Sequence, residues 1–402
     1  MDAPSLPTGD ILRFYAFRAS QSAGFSLPIY VLFFQSRGLS LAEIGAIEAL
    51  FTVFVVAAET PTGYLGDRFG RRASLLAGTA LSALGIVGFV FARSFAAFAA
   101  IMVVRAVAEA FRSGATDAWL YETLAGTADD DRFAHVSGRA SAVGLATLAG
   151  ASLVGGGLYA LDPIYPWLLE GAAITTGLAV LLGMDEPDRT VGVGSTRFSP
   201  WETLAAARST LANRAVGPLV LAVGLLASIT NTMEFYLQPV AVATPGLSAT
   251  TLGPLYAGLT LASAGVTARA GWIEDRFGVR GWFLVGPPLL GLSLVAVAAA
   301  PALALPVFVL GRGVRSATTP IFGQFLNDRT DGGRATVLSA ASTVRSLFTA
   351  PLNLVGGGLA TAYALSTGLG GLGVVLLGGL VVTLGVWRPS LPSVTARESD
   401  AA

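Results

Sequence analysis

Apolar residues run along this chain in stretches of about 20 or more, separated by short polar intervals, and nowhere alternate with polar ones at strand spacing. A helix needs about 20 residues to cross a hydrocarbon core roughly 30 Å thick. The pattern predicts helical spans over 11–36, 41–63, 73–92, 95–122, 134–160 and 163–184, then 215–242, 250–270, 281–300, 304–327, 335–363 and 366–387. The expected fold class is an all-α membrane protein: twelve transmembrane helices in two pseudo-symmetric six-helix bundles, 1–184 and 215–388, with a linker over 185–214 and a tail over 389–402.

Composition supports that picture. The chain is 53% hydrophobic and only 12% charged, against about 25% charged in soluble domains. Its 49 glycines and 20 prolines fall largely in the apolar runs, which argues against a β-barrel. There is no cysteine, one histidine (His135), and all 25 basic residues are arginine. Disulfides, thiolate metal sites, a cysteine nucleophile, a P-loop lysine and a Schiff-base lysine are excluded; a histidine metal site or triad is not expected. We expect no cofactor, no metal, no enzymatic activity and no nucleic-acid partner. The N-terminal MDAPSLPTGD lacks the basic and apolar segments of a cleaved signal, so the first span is expected to be retained.

Arginine position predicts sidedness. With the N-terminus inside, only Arg37 and Arg93 fall outside, and the remaining loop arginines fall within, as the positive-inside rule requires. Both termini are expected to be cytoplasmic, in the cell membrane. In the linker, Ser199, Pro200, Trp201 and Glu202 form a capping-box pattern. The alternatives there are a short surface helix with Trp201 at headgroup level and a solvated linker.

The halves repeat each other. Gly38-Leu39-Ser40 recurs as Gly246-Leu247-Ser248, and Asp67-Arg68-Phe69-Gly70 recurs at the same offset as Asp275-Arg276-Phe277-Gly278; Arg105 answers to Arg312. Between the second and third spans stands Gly63-Tyr64-Leu65-Gly66-Asp67-Arg68-Phe69-Gly70-Arg71-Arg72. This resembles the signature cytoplasmic loop of the major facilitator superfamily, GxxxDxxGRR, with a degenerate copy over 271–280. The resemblance covers about residues 11–387 and implies a secondary transporter working by alternating access. It implies a cytoplasmic gate of Gly63, Asp67, Arg68, Gly70, Arg71, Arg72, Glu122, Asp275 and Arg276, with Asp67 facing the start of the eleventh span near 333–336 and Arg71 paired with Glu122. The glycines at 63, 66 and 70 are expected to permit a tight turn and close helix approach.

Charges inside a membrane are costly and need a partner, water or a task. Arg105, Glu109 and Arg112 share one face of the fourth span, so Glu109 can pair with either arginine. With Glu48, Asp117, Arg312, Arg315 and Arg345 they are the candidates for proton coupling or the central cavity. Asn231, Glu234, Tyr236 and Gln238 on the seventh span are candidates to face substrate. Central arginines outnumber central acids, which favours a substrate with negative charge. Glycines at 144, 150 and 155–157 resemble in part the antiporter signature of drug exporters, although Ala151 replaces its proline. The expected function is transport of a small organic solute, proton-coupled through Glu109 or another intramembrane acid, with efflux preferred over uptake and with an uncoupled facilitator, an uptake symporter, and a non-transporting sensor or scaffold as alternatives. The expected partners are that solute, protons and the lipid bilayer, and the expected oligomeric state is a monomer.

Overall fold

The computed structural model describes residues 9–124, 130–187, 208–327 and 334–387, with backbone only at 130, 131, 327 and 334–340. The masked intervals include the expected helix at Trp201 and the tail over 389–402, which therefore lie outside the described residues. Among the described residues there is no strand. The helices are α1 (Gly9–Gln21), α2 (Tyr30–Ser36), α3 (Leu41–Phe69), α4 (Arg71–Phe91), α5 (Phe95–Leu124), α6 (Asp130–Leu161), α7 (Tyr165–Leu182), α8 (Gly217–Ala243), α9 (Ala249–Thr267), α10 (Ala270–Ala299), α11 (Ala304–Asn327), α12 (Arg334–Ala362) and α13 (Leu365–Val386). Seven of them, α3, α4, α6, α7, α8, α10 and α13, contain segments long and apolar enough to cross a membrane. Of the rest, α5 and α11 carry intramembrane arginines and α9 is rich in threonine and glycine.

One expected span is broken. Over 11–36 the chain forms α1, a 3₁₀ turn at Leu27–Ile29 and α2. The break falls over residues 22–26, and Pro28 takes an early position of the 3₁₀ turn that follows, where its missing donor costs little. The backbone groups freed by the break are met by side chains, described below.

The repeat is visible in the backbone. Positive φ occurs at Gly38 (88°), Gly70 (112°), Gly246 (83°) and Gly278 (63°), two pairs at equivalent positions of the two halves. Only glycine enters that region without steric cost, which is why these turns hold it. After Gly38 and Gly246 a serine caps the next helix: Ser40 N donates to Glu43 Oε2 at 2.9 Å and Ser248 N to Thr251 Oγ1 at 3.0 Å.

Each half packs its own interior. One apolar cluster is drawn from residues 216–387. Two others come from the first half, one of them joined by Ala241 and Leu252. The halves meet closely at the end that carries Gly38 and Gly246. There Gly45 and Gly357 bring α3 against α12, and Gly156 and Gly253 bring α6 against α9. Ala42 N donates to Thr361 Oγ1 across this seam at 2.8 Å.

Candidate functional site: a divided central cavity and an arginine clasp

Glycines on α4 make room for the arginines of α5. A methyl at Gly85 would lie 2.6 Å from Cγ of Arg105, and one at Gly78 would lie 2.6 Å from Cγ of Arg112. The seven-residue spacing is the same on both helices, so each arginine stem lies over a bare patch of backbone. Arg112 bonds to Glu109 at 2.6 Å and also to Gln21. Arg105 turns elsewhere: its guanidinium stacks 5.4 Å from the Phe89 ring centroid and reaches Met102 Sδ. Of the two partners open to Glu109, the structure therefore selects Arg112.

Arg105 faces a cavity of ≈ 750 Å³ in the first half, along with Arg18, Glu48, Glu170 and Tyr30. Tyr30 donates its hydroxyl to Glu48. Glu170 Oε2 accepts from Ser26 N at 2.9 Å, which satisfies one backbone donor at the break in the first span. Both carboxylates share this cavity with Arg105, and neither forms an ion pair with it. Glu170 is absent from the site read in the sequence, where a lone acid in an apolar run gives no sign of what it faces.

A second compartment of ≈ 830 Å³ belongs mainly to α8, α9 and α11. Glu234 accepts two bonds from Arg312, at 2.8 and 2.7 Å, and the Arg312 guanidinium lies 5.2 Å from the Tyr256 ring centroid. Arg315 and Asn231 line the same compartment. Leu27, Tyr30, Leu148 and Phe235 line both compartments, so the two adjoin along a largely apolar seam.

Not every residue of the polar stripe on α8 faces open space. Tyr236 is 2% exposed and donates to Gly356 O at 2.5 Å, which fixes α8 to α12. Gln238 borders the second compartment but is 2% exposed and spends its amide mainly on the first half: Oε1 accepts from Val31 N at 2.8 Å and Leu32 N at 3.3 Å, and Nε2 donates to Leu27 O at 2.9 Å and, within its own half, to Tyr256 Oη at 3.1 Å. Asp117 is exposed and borders neither central compartment. Arg345 lines a separate pocket of ≈ 360 Å³ together with Arg315.

At the arginine-rich end, α3 continues as helix to Phe69, and Gly70 alone makes the turn into α4. Gly66 lies close to Ser74, whereas nothing stands near Gly63; the expected close approach is confined to one glycine. Arg71 joins Asp67 (Nη1, 2.9 Å) to Glu122 (Nε, 2.9 Å). Arg72 donates to the carbonyls of Leu181 and Leu182, capping the end of α7, while Glu186 accepts from Arg71 N at 2.6 Å and Arg72 N at 3.1 Å at the start of α4. Trp119 Nε1 donates to Asp185 O at 3.0 Å, holding the beginning of the linker in place. Arg68 lies 5.5 Å from the Phe69 ring centroid, and Asp275 and Arg276 are exposed. The surroundings of Asp67 toward 333–336 fall on side chains outside the described residues.

Two halves repeated in backbone, cavities between them and a linked Asp67–Arg71–Glu122 network suit a carrier, and the whole-chain comparison decides the matter. The sequence model of the Major Facilitator Superfamily matches residues 14–352. The chain belongs to that superfamily. A relative from Bacillus subtilis (strain 168), the uncharacterized MFS-type transporter YxaM, is 27% identical over 158 residues, 39% of each chain. The alignment thus spans about two fifths of that relative's length. Among solved structures, the nucleoside transporter NupG superposes with a TM-score of 0.77 at 12% identity, over 95% of this chain and 100% of its own. A bacterial homologue of the human lysosomal transporter Spinster, inward-facing and unoccupied, gives 0.72 at 16% identity, over 94% of each. At those identities the likeness is one of fold.

Proposed function

We propose that this superfamily member is a proton-coupled transporter of a small organic solute, with Glu48 and Glu170 as its proton carriers. The observation that carries the reading is their placement: two carboxylates line one cavity together with Arg105, one held by the Tyr30 hydroxyl and the other by Ser26 N. Neither carboxylate forms an ion pair with a guanidinium among the described residues, so neither is locked in its ionised form and either can take up or give off a proton. Glu109 is less suited to the task because Arg112 already neutralises it at 2.6 Å.

Twelve spans, two six-helix bundles, cytoplasmic termini and a cell-membrane location belong to the same reading, as does the role of Asp67, Arg71 and Glu122 as the inner clasp. The glycines of α6 say nothing about direction. Gly155 meets the Phe25 backbone and Gly156 the Ala249 backbone, so both are accounted for by packing, and import and export are open to one carrier.

The test is proteoliposomes enclosing a pH-sensitive dye, given panels of organic acids, amines, nucleosides, sugars and amino acids. One class should move protons in the presence of the wild type, and Glu170→Gln should abolish proton movement while leaving solute counterflow. Counterflow with no pH change in the wild type establishes the uncoupled facilitator instead. Absence of counterflow for every class supports the sensor or scaffold.

A further inference from the structure

The acids of the central cavity are all engaged, whereas several of its cations are not. Glu48 has the Tyr30 hydroxyl, Glu170 has Ser26 N, and Glu234 has two bonds from Arg312. Arg18, Arg105 and Arg315 line the same compartments, and none of the three forms an ion pair with a described residue.

Charge divides unevenly between the compartments. In the first half, Arg18 and Arg105 face Glu48 and Glu170, which sums to zero with both acids ionised. In the second, Arg312 and Arg315 face Glu234 alone, leaving one positive charge, and Arg345 lines the adjoining pocket beside Arg315. Glu234 is held at both oxygens by Arg312, so Arg315 is the group left to be neutralised. It is exposed to the compartment, with Asn231, Ser263 and Ser316 as further polar lining. A guanidinium with flanking amide and hydroxyl groups is suited to a planar oxyanion. One surplus charge matches a monoanion. Beyond it, the seam of Leu27, Leu148 and Phe235 offers an apolar bed that continues into the other compartment.

We infer that the substrate is an organic carboxylate with an apolar body, its carboxylate held by Arg315 and its body lying along Leu27, Leu148 and Phe235. The inference rests on the transporter reading but not on proton coupling. It makes Arg315 the residue that selects charge, and the seam the element that selects for an apolar group over a sugar or other polar body.

The test uses the full chain in detergent and three probes of one shape: 4-phenylbutyrate, its uncharged amide, and 4-phenylbutylamine. The acid should raise the melting temperature of the wild type, and the amide and amine should not. Arg315→Gln should weaken binding of the acid roughly tenfold to a hundredfold, the cost of losing one charged hydrogen-bond partner. Arg315→Lys, which retains charge but not the fork, should bind with intermediate strength. An unliganded melting temperature close to wild type shows that the variants are folded, and where Arg315→Gln is not, the Lys variant carries the comparison. The inference is overturned by equal stabilisation from amide or amine, by no stabilisation from the acid, or by Arg315 variants that bind like the wild type. Because binding is read without a gradient, an acid that binds yet moves no proton removes only the coupling, whereas proton-linked transport of amines removes only the carboxylate.

Discussion

Gln238 of the second half occupies the gap in the first span: its Oε1 accepts from Val31 N at 2.8 Å, and its Nε2 returns a bond to Leu27 O at 2.9 Å. An unpaired backbone donor away from water costs about 1–3 kcal/mol, so this one side chain stabilises the meeting of the halves at the Gly38 end. Gln238→Leu keeps similar bulk and removes both bonds. It should lower the melting temperature and reduce the population closed at this end. Because the chain has no cysteine, Ala42→Cys with Thr361→Cys can report that population through a short bifunctional thiol reagent. Cross-linking as fast in the Gln238→Leu background as in its absence would refute the claim.

The α6–α9 seam offers a steric counterpart. A Cβ at Gly156 would strike the backbone of Ala249, whereas nothing stands within 4 Å of one at Gly150. Gly156→Val should therefore wedge this end open and slow the same cross-link, while Gly150→Ala should be neutral or slightly stabilising, by up to about 1 kcal/mol for the better helix former. Similar behaviour of the two variants would show that the glycines do not act through contact.

Gly85 tests how Arg105 is held. Even a methyl there would stand 2.6 Å from its Cγ, so Gly85→Ala must displace the stem of the arginine. The expected result is a fold that survives, with a loss of about 1–3 kcal/mol from overpacking, and proton movement that falls more than solute counterflow. Equal loss of both would mean that Arg105 acts only through packing.

Glu186 caps the first turn of α4 through two backbone donors, Arg71 N and Arg72 N. Glu186→Ala should cost about 1 kcal/mol, as N-cap losses do, with the drop in melting temperature reduced where Glu186→Gln retains an acceptor. An unchanged melting temperature in the alanine variant would exclude the cap as a stabilising element.

The fold is readable from the chain because long apolar runs have few alternatives in a bilayer, and because glycines 38, 70, 246 and 278 stand where only a left-handed turn explains them. The Arg71–Glu122 pair follows from the resemblance of one short motif. The central chemistry is less legible. Helical spacing allows Glu109 either arginine, and only the hollow at Gly85 shows why Arg105 lies elsewhere. Spacing also groups Asn231, Glu234 and Gln238 on one face of α8, yet three of the bond partners of Gln238, Leu27, Val31 and Leu32, lie more than 200 residues away in sequence. The first span reads as continuous because residues 22–26 are a short interruption in an apolar run, and Glu170 gains its meaning only from that break, where it accepts from Ser26 N.

The equivalent glycine turns of the two halves have outlived the chemistry around them. Past Gly70 the chain builds an arginine clasp with Asp67, Glu122 and Glu186; past Gly278 the matching Asp275 and Arg276 are left exposed. The same joint is built twice with unlike side chains around it, so under the proposed reading only the first copy serves as a latch. A carrier made this way would pair matched hinges with one-sided control.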